Sequence, residues 1–188
     1  PIYMDKDGKK KRAKFSCKYD CHFCPKEVDE NGVMINPRSY LSDEPTVARG
    51  LQNNFDVVDQ FNDRGFQYLI NGHNVDKIEL IILGGTWTSY PREYQKEVIR
   101  DAFYAANTFT SMDKRERLSL EEEQEINDKS KTTRIIGLTL EMRPDSIKEE
   151  EIRWLRYLGC TRIQLGIQHI DDEILKKVNR KCTTEQAI

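Results

Sequence analysis

Three cysteines stand close together at Cys17, Cys21 and Cys24, in the pattern Cys-x3-Cys-x2-Cys. A loop this short can aim all three sulfurs at one metal centre. An iron–sulfur cube normally takes four thiolates. Three leave one iron open, and an open metal position is where chemistry takes place. Zinc in a structural site takes four ligands. The extra candidates here are His22, badly placed inside the loop, and the distant Cys160 and Cys182. The spacing favours the open cluster and leaves a zinc loop, or three unrelated thiols, as alternatives.

Other short patterns could serve a ligand beside that iron. Gly84-Gly85-Thr86 directly follows the apolar run Lys77–Leu83. Glycines let the backbone approach a ligand closely and offer its amides or carbonyls. Glu141 follows a second run at Thr133–Leu140, and Gln168 follows a third at Thr161–Ile167. Glu141 can accept from an amine or a ribose hydroxyl, Gln168 from a ribose hydroxyl, and Arg180 can pair with a carboxylate through two parallel hydrogen bonds. Taken singly, each pattern has an ordinary reading: a tight turn, a solvated or salt-bridged Glu, a helix-capping Gln. Taken together, they suit a cofactor with an amino-acid end and a nucleoside.

The elements that must position these residues are strands alternating with helices. The first strand is expected around Arg12–Ser16, running into Cys17. The run Lys77–Leu83 reads as a strand covered on both faces. Helices are expected from Pro45, with Ser42 or Asp43 as cap and Val47, Ala48, Leu51, Phe55 and Val58 on one face, weakening near Gly65. Others start at Pro91, after Asp145 (Ile152, Leu155 and Leu158 inward, Gly159 as stop), and over Asp171–Val178. Residues 113–131 read as a charged stretch, a solvated helix or an excursion, with no apolar stripe to bury. Helical crossovers force parallel strands, and in such sheets ligands gather at the carboxyl ends of the strands. A complete eight-unit barrel needs about 250 residues, so 188 residues allow a partial, open α/β barrel that stops short on its C-terminal side.

Charged residues make up 33% of the chain, apolar residues 37%, and the formal net charge is −2. That balance gives no global attraction to nucleic acid. No apolar run approaches the roughly 20 residues that span a bilayer. Five cysteines, an odd number with three bunched, argue for a reducing compartment such as the cytoplasm. The expected division is a basic N-terminal arm at 1–13 and one domain at 14–188. Residues 6–14 carry six positive charges and one negative, which suits either a phosphate backbone or a merely solvated terminus. Pro1 is not a natural translation start, which implies residues upstream.

The cysteine loop resembles that of radical S-adenosylmethionine enzymes. Leu51-Gln-Asn-Asn-Phe-Asp56, Gly72 to Thr86, Ser130-Lys131, Gly137-Leu-Thr-Leu-Glu-Met-Arg-Pro-Asp145 and Gly159 to Gln168 are similar to the catalytic subunit of Elongator, the tRNA wobble-uridine modifying enzyme. The resemblance implies a [4Fe–4S] cluster on Cys17, Cys21 and Cys24. It also implies S-adenosyl-L-methionine near Gly84, Gly85, Thr86, Glu141, Gln168 and Arg180. One-electron cleavage of the sulfonium would release a 5′-deoxyadenosyl radical. That radical would act on acetyl-CoA, and the product would be a carboxymethyl group at C5 of the tRNA uridine. Elongator-like protein partners are implied as well. The loop is compact where cellular members carry a longer insertion, and the acetyltransferase domain that handles acetyl-CoA in the family lies outside these residues. The other expectation is a tRNA-binding or scaffold module that keeps the fold without turnover. Cys160 and His73 are expected to be structural, and His169 either structural or functional.

Overall fold

The computed structural model describes residues 2–4, 7–12, 17–36, 38–112 and 114–188. Its centre is a parallel sheet. The flanking elements are a short hairpin, β1 (Ile2–Met4) with β2 (Lys10–Arg12), and the helices α1 (Pro45–Gln52) and α2 (Val57–Ile70). The sheet consists of β3 (Lys77–Ile82), β4 (Arg134–Met142) and β5 (Arg162–Leu165), in the order β3-β4-β5. Between β3 and β4 run α3 (Arg92–Thr108) and α4 (Leu120–Lys129). Between β4 and β5 runs α5 (Glu149–Tyr157), and α6 (Asp172–Lys177) follows β5. This is the open α/β arrangement expected of a partial barrel.

The register is Ile81↔Thr139↔Arg162 and Glu141↔Gln164, with a bulge between Ile78 and Glu79. Side chains alternate across a strand. One face, with Ile78, Leu80, Ile82, Leu138, Leu140, Met142 and Ile163, packs on Ile99, Ala102, Phe103 and Ala106 of α3 and on Leu155 and Leu158. Burying each leucine of this set contributes about 1.5–3 kcal/mol. The other face carries Glu79, Ile81, Gly137, Thr139, Glu141 and Gln164. Ile81 is 48% exposed there, so β3 is covered on one face only, not both. The charges at Lys77 and Glu79 already mark that alternation.

The structure corrects several other expectations. The described part of the basic arm is the antiparallel hairpin, whose Met4 amide donates to Glu97 of α3 at 3.1 Å. Of the strand expected at Arg12–Ser16, Arg12 ends β2 and residues 13–16 lie outside the described residues. The helix from Pro45 is two helices. Asn54 and Phe55 turn through positive φ (51° and 57°), and Asp56 restarts the chain by accepting from the Asp59 amide at 2.9 Å. Glu44, rather than Ser42 or Asp43, is the first cap. Gly65 does not weaken α2. It is a notch for the Phe109 ring, whose atoms lie 2.5 Å from where a Cβ would stand.

Residues 114–131 contain a helix, one of the two forms expected there, but it is not wholly solvated. A capping box of Ser119 and Glu122 starts α4, which buries Leu120, Glu123 and Asn127. The seam is polar and therefore shows no apolar stripe. Glu123 takes both guanidinium nitrogens of Arg115 at 2.6 Å. Asn127 exchanges hydrogen bonds with the backbone of Ile135. On α5, Leu155 and Leu158 point inward as expected, but Ile152 is 47% exposed. The inward face is filled instead by Trp154, which donates to Gln95 at 2.6 Å, and by Glu151, held by Arg92. Gly159 ends the helix at φ +88°.

Candidate active site

A cavity of about 370 Å3 opens at the carboxyl ends of β4 and β5. Cys17, Cys21, Cys24, Gly85, Thr86, Glu141, Gln168 and Arg180 all line it. Residues from five separate stretches thus meet on one wall system. Gly84 is not among the lining residues. Its φ of +145° and the +67° of Gly85 need glycine, and its carbonyl accepts from Tyr90 at 3.4 Å. Glu141 lies within β4 as its last residue but one, not after it.

The cysteine loop is pinned from behind. The His22 amide donates to Val178 at 2.9 Å and Asn179 donates to Asp20 at 2.7 Å, both from the segment after α6. Cys21 is 4% exposed, while Cys17 and Cys24 are half-buried. Around the Cys21 sulfur stand Arg143 Nη1 at 3.5 Å and Arg180 Nη1 at 3.9 Å. Ser39 Oγ lies 3.3 Å from the Cys24 sulfur. Among the described residues, no three His, Cys, Asp or Glu side chains close on a common point. The three thiols share one cavity, and a cube that offers a separate iron to each sulfur does not need them to converge on a single point.

Arg180, the candidate partner for a ligand carboxylate, is buried, with Nη2 on the Gly166 carbonyl and Nη1 toward Cys21. Its Nε has no hydrogen-bond partner. A buried donor left unpaired costs about 1–3 kcal/mol. Three thiols lining one cavity, with two guanidinium groups beside the Cys21 sulfur, fit an iron–sulfur centre. Glu141 accepts from the Tyr40 hydroxyl at 3.1 Å. Burial, and next the Glu141 charge, push the Tyr40 hydroxyl up to about 12, so it stays a donor.

Sequence reasoning missed four contributors. Arg38, Ser39 and Tyr40 come from the turn-rich loop 25–43, which reads as irregular connection. Glu27 organises that loop by accepting from the Ser42 amide and hydroxyl and from Asn36. Ser39 adopts φ +92° and Gln168 φ +74°, both unusual for residues with a side chain. The fourth is Arg143, whose only sequence signal is Asp145 two residues on. The remaining candidates are local. His169 Nδ1 accepts from the Asp171 amide, His73 packs edge-on to Tyr68, and Cys160 lies in the core, where burial pushes its thiol up. Cys182 is buried and does not line the cavity.

Residues 15–188 match the radical SAM superfamily. Over 168 residues the chain is 42% identical to a tRNA uridine(34) acetyltransferase of Methanocaldococcus infernus, covering 89% of this chain and 30% of that protein. It is 31% identical over 165 residues to Elongator complex protein 3 of Schizosaccharomyces pombe, covering 88% of this chain and 29% of that protein. A solved structure, "The archaeal Methanocaldococcus infernus Elp3 with N-terminus deletion (1-46)", superposes with a TM-score of 0.66 at 43% identity, over 73% of this chain and 30% of that one. The chain therefore spans about 30% of the length of the curated relatives it matches. With the family matched across nearly all of its residues and three cysteines opening on one cavity at the strand ends, the chain belongs to the radical SAM superfamily.

Proposed function

We propose that this chain is the radical-generating domain of a tRNA wobble-uridine C5-modifying enzyme, working in the cytoplasm with acetyl-CoA bound elsewhere in the full protein. The observation that carries this reading is the meeting of Cys17, Cys21 and Cys24 with Gly85, Thr86, Glu141, Gln168 and Arg180 around one cavity. The relatives named for tRNA uridine(34) and Elongator supply the substrate class. Residues 14–188 act as the domain, and the hairpin arm before it offers charge to an RNA backbone.

When bound, a [4Fe–4S] cluster supplies one-electron cleavage of S-adenosyl-L-methionine. The three thiolates hold that cluster. Arg180 turns its free Nε edge to the carboxylate of the methionine end. The backbone at Gly85 and Thr86 takes the amino group, next to the turn that Gly84 closes. Glu141, with Tyr40 donating to one oxygen, and Gln168 accept from ribose hydroxyls. The wall from Met142 to Gly166 keeps water from the cleaved bond.

Anaerobic reconstitution with iron and sulfide tests the reading. The expected product is a brown protein that, with dithionite as the electron donor, cleaves S-adenosyl-L-methionine to 5′-deoxyadenosine and methionine, more so with tRNA present, with both properties lost in Cys21→Ala. A colourless protein holding stoichiometric zinc overturns it. A second reading, an RNA-binding module without turnover, is favoured by the basic hairpin. It would show salt-dependent tRNA binding with the cluster loaded and no cleavage.

A further inference from the structure

Arg143 ties three segments together from one buried position. It follows β4 directly and is 3% exposed. Its Nε and Nη2 donate to the two carboxylate oxygens of Asp145 at 2.8 and 3.1 Å. Nη2 also donates to the Arg180 carbonyl at 2.8 Å, and Nη1 reaches the Cys21 sulfur at 3.5 Å. The guanidinium plane lies 3.8 Å from the centre of the Tyr19 ring, whose hydroxyl donates to Asp145 at 2.7 Å. A group needed only to brace the loop has no reason to aim an N–H at a thiol when carbonyls are at hand.

We infer that Arg143 is a positioning residue that sets the reduction potential of the metal centre through the Cys21 sulfur, with Asp145 trimming its charge. Hydrogen bonds to the sulfurs and local charge are what tune such potentials. When one electron enters, the ligated centre becomes more negative by one unit and no proton need move. A fixed cation 3.5 Å from a ligating sulfur favours that state, and it does so strongly because it is buried. The carboxylate of Asp145 opposes it from the far side of the guanidinium. The two residues should therefore act with opposite signs. A purely structural pair would act with the same sign. This inference rests on the cluster reading above.

The test is a redox titration of the full chain, reconstituted anaerobically with iron and sulfide. Dithionite serves as the electron source, and the reduced signal is followed by electron paramagnetic resonance without S-adenosyl-L-methionine. Iron and sulfide per chain are measured on every sample. Arg143→Gln should titrate lower, so that at the wild-type midpoint the reduced fraction relative to the oxidised one falls about tenfold, or about 59 mV for one electron. Asp145→Asn, which keeps the shape and leaves the guanidinium unopposed, should titrate higher. Arg143→Lys, which keeps the charge, should stay near wild type. Loaded Arg143→Gln at the wild-type midpoint overturns the inference, as does Asp145→Asn moving in the same direction as Arg143→Gln. If Arg143→Gln takes up no iron, the Asp145→Asn shift decides alone: upward supports, unchanged or downward overturns. If wild-type protein takes up no iron, the cluster reading is what fails.

Discussion

At the scale of single residues, Arg180 and Glu123 illustrate two uses of a buried charge. Arg180 has a spare Nε and faces a cavity. Replacement by lysine keeps a charge but loses the planar fork. Arg180→Lys should weaken S-adenosyl-L-methionine binding about tenfold, or about 1.4 kcal/mol, as read by isothermal titration of the reconstituted protein. An unchanged affinity would remove Arg180 from the binding role. Glu123 has no spare capacity. Burial pushes its carboxyl up, but the hydrogen bonds from Arg115, Asn107 and the Leu118 amide outweigh this and hold it below the usual value of 4.5. A carboxylate with a lowered folded-state value stabilises the fold above its unfolded value. That stability is lost as pH falls through the folded one. Urea midpoints should therefore drop below about pH 4.5 in wild type. They should drop less in Glu123→Gln, which starts lower at pH 7 by about 2 kcal/mol.

At the scale of elements, Gly65 decides how α2 meets α3. Alanine at an exposed helical position gains up to about 1 kcal/mol over glycine. At this position its Cβ would stand 2.5 Å from the Phe109 ring, and overpacking costs about 1–3 kcal/mol. Gly65→Ala should lower Tm, and Phe109→Leu in the same chain should recover part of the loss in a double-mutant cycle. The three parallel strands and α3, α5 and α6 were legible because each is an apolar pattern bounded by glycine, proline or an acidic cap. That the three cysteines would share a cavity with Gly85, Thr86, Glu141 and Gln168 was legible because each of these follows or ends an apolar strand pattern or sits in the bunched cysteine loop. Arg143, Tyr40 and the α4 seam were not. Their roles depend on partners distant in sequence, Cys21, Glu141 and Arg115 with Asn107 among them, and polar burial leaves no periodic trace. The break at Asn53–Asp56 was hidden because Phe55 keeps helical spacing while its ring folds back over Gly50.

At the scale of the whole molecule, the sheet divides the chain into a packed side and an open side. Ile81 belongs to the open face, and Ile136, Leu165, Ile167 and Ile170 are exposed as well. None of the described helices is long and apolar enough to cross a membrane. Apolar patches of this kind promote association between molecules. Ile81→Thr should raise the concentration at which the chain sediments as a monomer and change its unfolding midpoint by no more than about 0.5 kcal/mol. An unchanged association profile would show that this face does not stick.

The left-handed backbone at Ser39 and Gln168 has a consequence for variation. Both residues line the cavity, and for a residue with a side chain this conformation costs roughly 1–2 kcal/mol. Glycine at either position would relax the chain and raise its melting point. It would also remove the Ser39 hydroxyl from the Cys24 sulfur, or the Gln168 amide from the cavity. Selection for heat tolerance alone would drift toward glycine at both positions. A chain that keeps Ser39 and Gln168 carries a trade of robustness for chemistry at the two walls where the cofactor is expected to sit.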